Sequence, residues 1–102
     1  MVVKILPAAK NANTPSAKLA DAEVHFTDGV LQGLRLLGFA VWERKNGPGR
    51  NVTFPSRTYS VNGERRSFSL LRPITDANSQ DQIRELVLQA YADFEARAAI
   101  AS

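Results

Sequence analysis

Seven cationic side chains, Arg44, Lys45, Arg50, Arg57, Arg65, Arg66 and Arg72, fall in the stretch from Glu43 to Arg72, where only Glu43 and Glu64 oppose them. A guanidinium is planar and charged at any physiological pH, and it grips a phosphate through two parallel hydrogen bonds. These seven are the candidate anion-binding residues, and nucleic acid is the commonest polyanion for such a segment to meet. The stretch carries a formal +5, the residues from Pro73 onward −3, and the first 42 residues +1. A basic centre and an acidic tail therefore share one small chain. Charge alone equally fits a solvated sheet face kept basic for solubility.

Other chemistry finds little support in the residue types. His25 is the single histidine, so neither a Ser/His/Asp set nor a histidine-pair metal motif can be assembled around a second one. Cysteine is absent, which removes thiolate nucleophiles, disulfides and cysteine-based zinc sites. Gly47-Pro48-Gly49-Arg50 reads as a hairpin tip rather than a phosphate loop, because no Gly-Lys-Ser/Thr follows it. Glu43 and Glu64 have no spacing that pairs them as acid and base. No catalytic residue, metal or cofactor is expected. Trp42 and Tyr59 lie close in sequence to Arg44 and Arg57, where they would either stack on unpaired bases or pack in a core or dimer interface.

Length and composition bound the scaffold. With 102 residues, 44% apolar and 23% charged, the chain is expected to form one soluble domain with one core. No apolar run reaches the ~20 residues that cross a bilayer, and the patch in MVVKILPAAK is cut short by Pro7. A cytoplasmic location without membrane association fits best.

The elements that must position the cations follow from local pattern. Val2–Leu6 predicts an edge strand ended by Pro7, and residues 8–17 a polar, Pro-containing mobile loop. Leu19–Thr27 alternates through Ala22, Val24 and Phe26 toward a hairpin signal at Asp28-Gly29. Val30–Trp42 predicts a bent strand in which Gly33 and Gly38 serve as bulges or close-approach points. Arg50–Phe54 predicts a further strand, with Val52 and Phe54 on one face. After Pro55 a turn at Ser56-Arg57 is expected, then two strands joined at Asn62-Gly63, a dipeptide suited to a two-residue hairpin loop. On the returning strand Phe68 and Leu70 are expected to face the core, with Ser67 and Ser69 on the open side.

The last segment predicts a helix over 79–98. Ser79-Gln80-Asp81-Gln82 fits a capping box, and Ile83, Leu86, Val87, Ala90, Tyr91 and Phe94 form one apolar stripe. Asp81 and Arg97 sit at the ends that the helix dipole favours. The expected fold is α+β, a curved antiparallel meander (19–74) with one long C-terminal helix on it.

The order DAEVHFTDG, VLQGLRLLGFAVWE, a Gly-rich turn, NVTFPSR, Gly63-Glu64-Arg65-Arg66, LLRPI and a closing helix resembles the SpoVG family (stage V sporulation protein G, or septation regulator) from about Ala20 to Phe94. Phe54-Pro55-Ser56-Arg57 and Arg72-Pro73-Ile74 carry the resemblance most sharply. It implies a small homodimer that binds DNA, and in some members RNA, as a bacterial gene regulator. Arg57 matches the family's basic residue after Pro-Ser, and Arg65 or Arg66 the one after the hairpin turn. The chain departs from that pattern in its N-terminal extension, its longer strand around Leu36-Leu37-Gly38, a single Arg after Pro-Ser, and an acidic helix.

Two readings stay open on the residues. One is a homodimeric nucleic-acid-binding regulator acting through the basic sheet and hairpin surface. The other is a protein-interaction module that docks an acidic partner on the same surface. An enzyme is the weakest class. Exposed strand edges, at the N-terminal strand or the hairpin, are the natural pairing surfaces for a dimer.

Overall fold

The computed structural model describes residues 1–9, 11 and 13–101, the last without its side chain; Lys10 and Ala12, within the expected loop, lie outside the described residues. The fold is α+β. Its elements are β1 (Val2–Pro7), β2 (Lys18–His25), β3 (Arg35–Glu43), β4 (Arg50–Thr53), β5 (Ser56–Val61), β6 (Glu64–Ser69) and α1 (Asn78–Ala101). The antiparallel meander divides into two sheets, β1-β2-β3-β4 and the separate hairpin β5-β6. Among the described loop residues, Asn11 Oδ1 accepts from the amide of Asn13 and the hydroxyl of Thr14, which makes a local turn before β2.

Alternation decides which face of the four-stranded sheet is covered. Val3 pairs with Val24, Ile5 with Ala22, Ala22 with Phe39, Ala20 with Val41, and Val41 with Val52. Directly opposed residues share a face, so this set forms one apolar surface. α1 lies on it, and Val87 and Tyr91 join Ala20, Ala22, Val24, Phe39, Val41 and Val52 in the buried cluster. The small side chains of β2 leave room beneath the helix. Leu88, Ile83 and Phe94 pack at its margin, while Leu86, expected in the stripe, is exposed. The helix is rotated so that Leu88 replaces Leu86 toward the sheet.

Several boundaries differ from the sequence reading for identifiable reasons. Val30 to Leu34 is a turn rather than strand, closed by Phe26 N–H donating to Leu34 O and Gly33 N–H to Phe26 O. Val30, Leu31 and Leu34 consequently stand in solvent. Gly38 does act as a bulge. Three β2 residues, Ala22 to Val24, lie opposite four on β3, Phe39 back to Leu36, and Gly38 takes φ +107°. A Cβ there would lie 3.1 Å from Pro55 Cβ, so glycine is also required for close approach.

The helix start also moves. The carboxylate of Asp76 accepts from the amide of Asn78 at 3.0 Å, and Ser79 Oγ donates to the Asp76 carbonyl at 2.8 Å. Asp76, not Ser79, is the N-cap, and Ser79 lies inside the first turn as the second residue of α1. Two templates compete over this stretch, and the carboxylate wins because it adds favourable charge at the positive end of the helix. Replacing Asp76 by Ala should therefore destabilise the fold by about 1 kcal/mol. Ser79→Ala should cost well under half of that, as read by paired urea melts. Equal losses would put the cap back at Ser79.

Candidate nucleic-acid interface

The hairpin β5-β6 leaves the core as an arm. Its base is fixed by Pro55, which is buried against Gly38, and by the Leu70 amide donating to Pro55 O at 2.8 Å. Phe54 packs edge-on against Phe39 at 5.2 Å between centroids, so the residue before the junction remains in the core. Leu71 O accepts from Ser69 Oγ and Gln80 Nε2, which ties the returning chain to the start of α1. Strand β5 begins at Ser56, so the expected turn at Ser56-Arg57 is absent; the Gly38–Pro55 contact makes the bend instead. At the far end Asn62 and Gly63 have φ of 53° and 81°, the left-handed pair that a two-residue hairpin loop requires.

Beyond its base, none of the described residues covers the arm. Every residue of β5 is exposed, as is every residue of β6 except Ser69. Phe68 and Leu70, expected in the core, are 40% and 57% exposed. Alternation placed Phe68 on a definite face correctly, but that face meets no other element. Register sets Arg57 opposite Phe68, Tyr59 opposite Arg66, and Val61 opposite Glu64, so these six share one face. The other face carries Arg65 beside five hydroxyl-bearing side chains, Ser56, Thr58, Ser60, Ser67 and Ser69.

The seven sequence candidates separate into three groups. Arg57, Arg65 and Arg66 belong to the arm. Arg44, Lys45 and Arg50 lie at the turn between β3 and β4, the end of the sheet away from the arm's base. Arg72 lies between the arm and α1. The expected single surface is thus not formed within one chain, because β4 separates its two ends. Arg50 is further removed from the candidate surface. Its guanidinium pairs with Glu95 at 3.2 Å and sits 5.9 Å from the Tyr91 ring centroid. The Glu95 hydrogen bond raises the Arg50 pKa, and burial raises that of Tyr91. Arg50 is a clamp between β4 and the helix.

The remaining cations are more available. Arg66 pairs with Glu64 at 3.1 Å, with both side chains largely in solvent, an arrangement worth at most about 1 kcal/mol. Arg44, Lys45, Arg57, Arg65 and Arg72 make no ion pair among the described residues. The acidic helix spends its charges locally: Asp81 holds Arg84, Glu95 holds Arg50, and Asp93 accepts from Gln89. It does not neutralise the arm.

Away from the arm, the uncovered face of the main sheet carries a separate charged cluster. His25 Nε2 donates to Glu23 Oε1 at 2.9 Å, and Arg35 lies 3.4 Å from the same oxygen. The histidine hydrogen bond holds the Glu23 carboxyl below its ordinary value of 4.5. Trp42, the other stacking candidate, donates its indole N–H to Thr53 Oγ1 at 2.8 Å across this face. No group of three or more metal-ligating side chains occurs among the described residues, and no helix is long and apolar enough to cross a membrane.

The chain matches no family model, and no curated protein or solved structure is significantly similar to it.

Two substitutions separate structural from interfacial charge. Arg50→Ala should lower stability by about 1 kcal/mol through loss of the ion pair and ring contact, with anion binding unchanged. Arg57→Ala should do the reverse; thermal melts and heparin-column retention of both variants check this. Glu23 titrates below its unfolded value, so its contribution to stability is present above about pH 4.5 and fades as pH falls through the folded pKa. Glu23→Gln should flatten that acid limb in melts taken from pH 3 to 6, while an unchanged limb would exclude the pair as its cause.

Proposed function

We propose that this protein is a non-enzymatic, homodimeric nucleic-acid-binding protein of the cytoplasm, a bacterial regulator of the SpoVG type that grips its ligand through the hairpin arm. One observation carries the reading. Among the described residues, Arg57 and Arg65 project from opposite faces of an uncovered ribbon without a carboxylate partner, and Arg66 is held only by its solvent-exposed neighbour Glu64. Guanidinium groups so placed lose little on exchanging water for phosphate, and the hydroxyls of Thr58, Ser60 and Ser67 supply further phosphate contacts. The resemblance of FPSR and RPI to SpoVG sequences supports the same reading.

The case for a second copy rests on area. The chain exposes 7748 Å², against roughly 5,700 Å² for a compact monomer of its 11.2 kDa. The excess, about 2,000 Å², is the scale that one subunit of a permanent dimer covers. Val30, Leu31, Leu34 and Leu37 are exposed and close in sequence at the start of β3, with Arg35 the only charge among them. This set suits burial against another copy better than contact with a polyanion.

Light scattering on the eluting protein should give a mass near twice 11.2 kDa. Fluorescence anisotropy with labelled DNA should show affinity falling steeply with salt. Changing Arg57, Arg65 and Arg66 together to Ala should flatten the log–log slope by about 2 to 3 per subunit and leave the circular dichroism spectrum intact. No binding at 20 mM salt would remove the nucleic-acid reading. Partner proteins retained on the arm after nuclease treatment would favour the acidic-protein alternative.

A further inference from the structure

Resting on the reading above, we propose that the Arg57–Tyr59–Arg66–Phe68 face of the arm is a stacking platform for single-stranded nucleic acid. Tyr59 and Phe68 each receive an unpaired base, while Arg57 and Arg66 hold the flanking phosphates.

The arrangement comes from strand register. Arg57 opposes Phe68 and Tyr59 opposes Arg66, so cations and rings alternate both along and across the ribbon. The rings touch diagonally, with centroids 5.7 Å apart and planes tilted by 59°. That tilt prevents the two rings from closing on each other face to face. Each stays about 40% exposed, although an aromatic side chain gains most from full burial. The missing cover must therefore be flat, apolar on its faces and compatible with adjacent positive charge. An unpaired base on a sugar–phosphate chain has all three properties. A base inside a duplex presents only its edge, because its faces are already stacked on neighbours.

Other occupants fit less well. A second copy applied to this face would oppose Arg57 and Arg66 to themselves and desolvate them without a counter-charge. The leucine-rich surface at residues 30–37 offers that copy a nearly uncharged alternative. Glu64, at the tip of the same face, pairs with Arg66 in the free protein, and phosphate would take over that guanidinium. Ring–base stacking depends little on base identity, so the platform would tolerate many sequences.

The test uses the full chain and anisotropy with labelled dT12, rU12 and a 12-bp duplex at one low salt concentration. The double variant Tyr59→Leu/Phe68→Leu keeps apolar strand residues and removes the rings. Tyr59→Phe and Phe68→Tyr keep them. The expected result is tighter binding of dT12 or rU12 than of duplex, with about 5- to 150-fold lost per ring in the Leu double variant. Duplex binding should change less than twofold, and the aromatic variants should bind as the native chain does. A larger loss for rU12 than dT12, or the converse, assigns the strand chemistry. Equal binding of duplex and single strands, unaffected by the Leu changes, would overturn the platform while leaving the nucleic-acid reading intact. Absence of binding to all three ligands would overturn that reading and the platform with it. A Leu double variant that turns monomeric by light scattering yet binds as before would make this face an interface between copies and refute the proposal.

Discussion

The close approach of Gly38 to Pro55 is the contact on which the rest of the structure depends. With φ at +107° and no side chain, Gly38 lets Pro55 seat against β3 at the point where the meander would otherwise continue. The next two strands are thereby directed away from the four-stranded sheet. A two-stranded hairpin is at best marginal in water by itself. Here it is held at its base by the Leu70–Pro55 hydrogen bond and by the turn that Asn62 and Gly63 make. The resulting molecule has a radius of gyration of 15.2 Å, against about 13 Å for a compact chain of this length. The extended shape and the exposed rings have one origin.

The core itself is small. Most of its fully buried side chains are Ala and Val, and the helix closes one face only. Charge is distributed in keeping with that division. Where a cation meets the core, as Arg50 does over Tyr91, a helix carboxylate neutralises it. On the arm, where nothing is buried, most of the cations have no partner among the described residues. Rings and guanidinium groups thus stand together on one face of an uncovered ribbon.

Much of this was legible in the sequence. Asn62-Gly63, the helix itself and the glycine bulge each depend on neighbours within a few residues, so local pattern specified them, although it put Leu86 rather than Leu88 toward the sheet. The positions of Phe68 and Leu70 were not legible in the same way. Period-two alternation tells which residues share a face but not whether another element covers it. That question was decided at Gly38, thirty residues away, where the cue was a glycine inside an apolar strand. The same distance effect separated Arg44, Lys45 and Arg50 from the arm, since contiguity in sequence does not survive a strand crossing. Asp76 and Ser79 are both residue types that cap helices, and the hydrogen bond from the Asn78 amide to the Asp76 carboxylate marks Asp76 as the cap. The Tyr59–Phe68 ring contact became visible only with the register, which the hairpin turn supplies.

Amide chemical-shift mapping with a short single-stranded oligonucleotide tests the central claim most directly. Shifts should concentrate between residues 56 and 69 and extend to Arg72, while the helix and the turn between β3 and β4 stay quiet. Shifts confined to those quiet regions, or none at low salt, would contradict an arm built to carry nucleic acid.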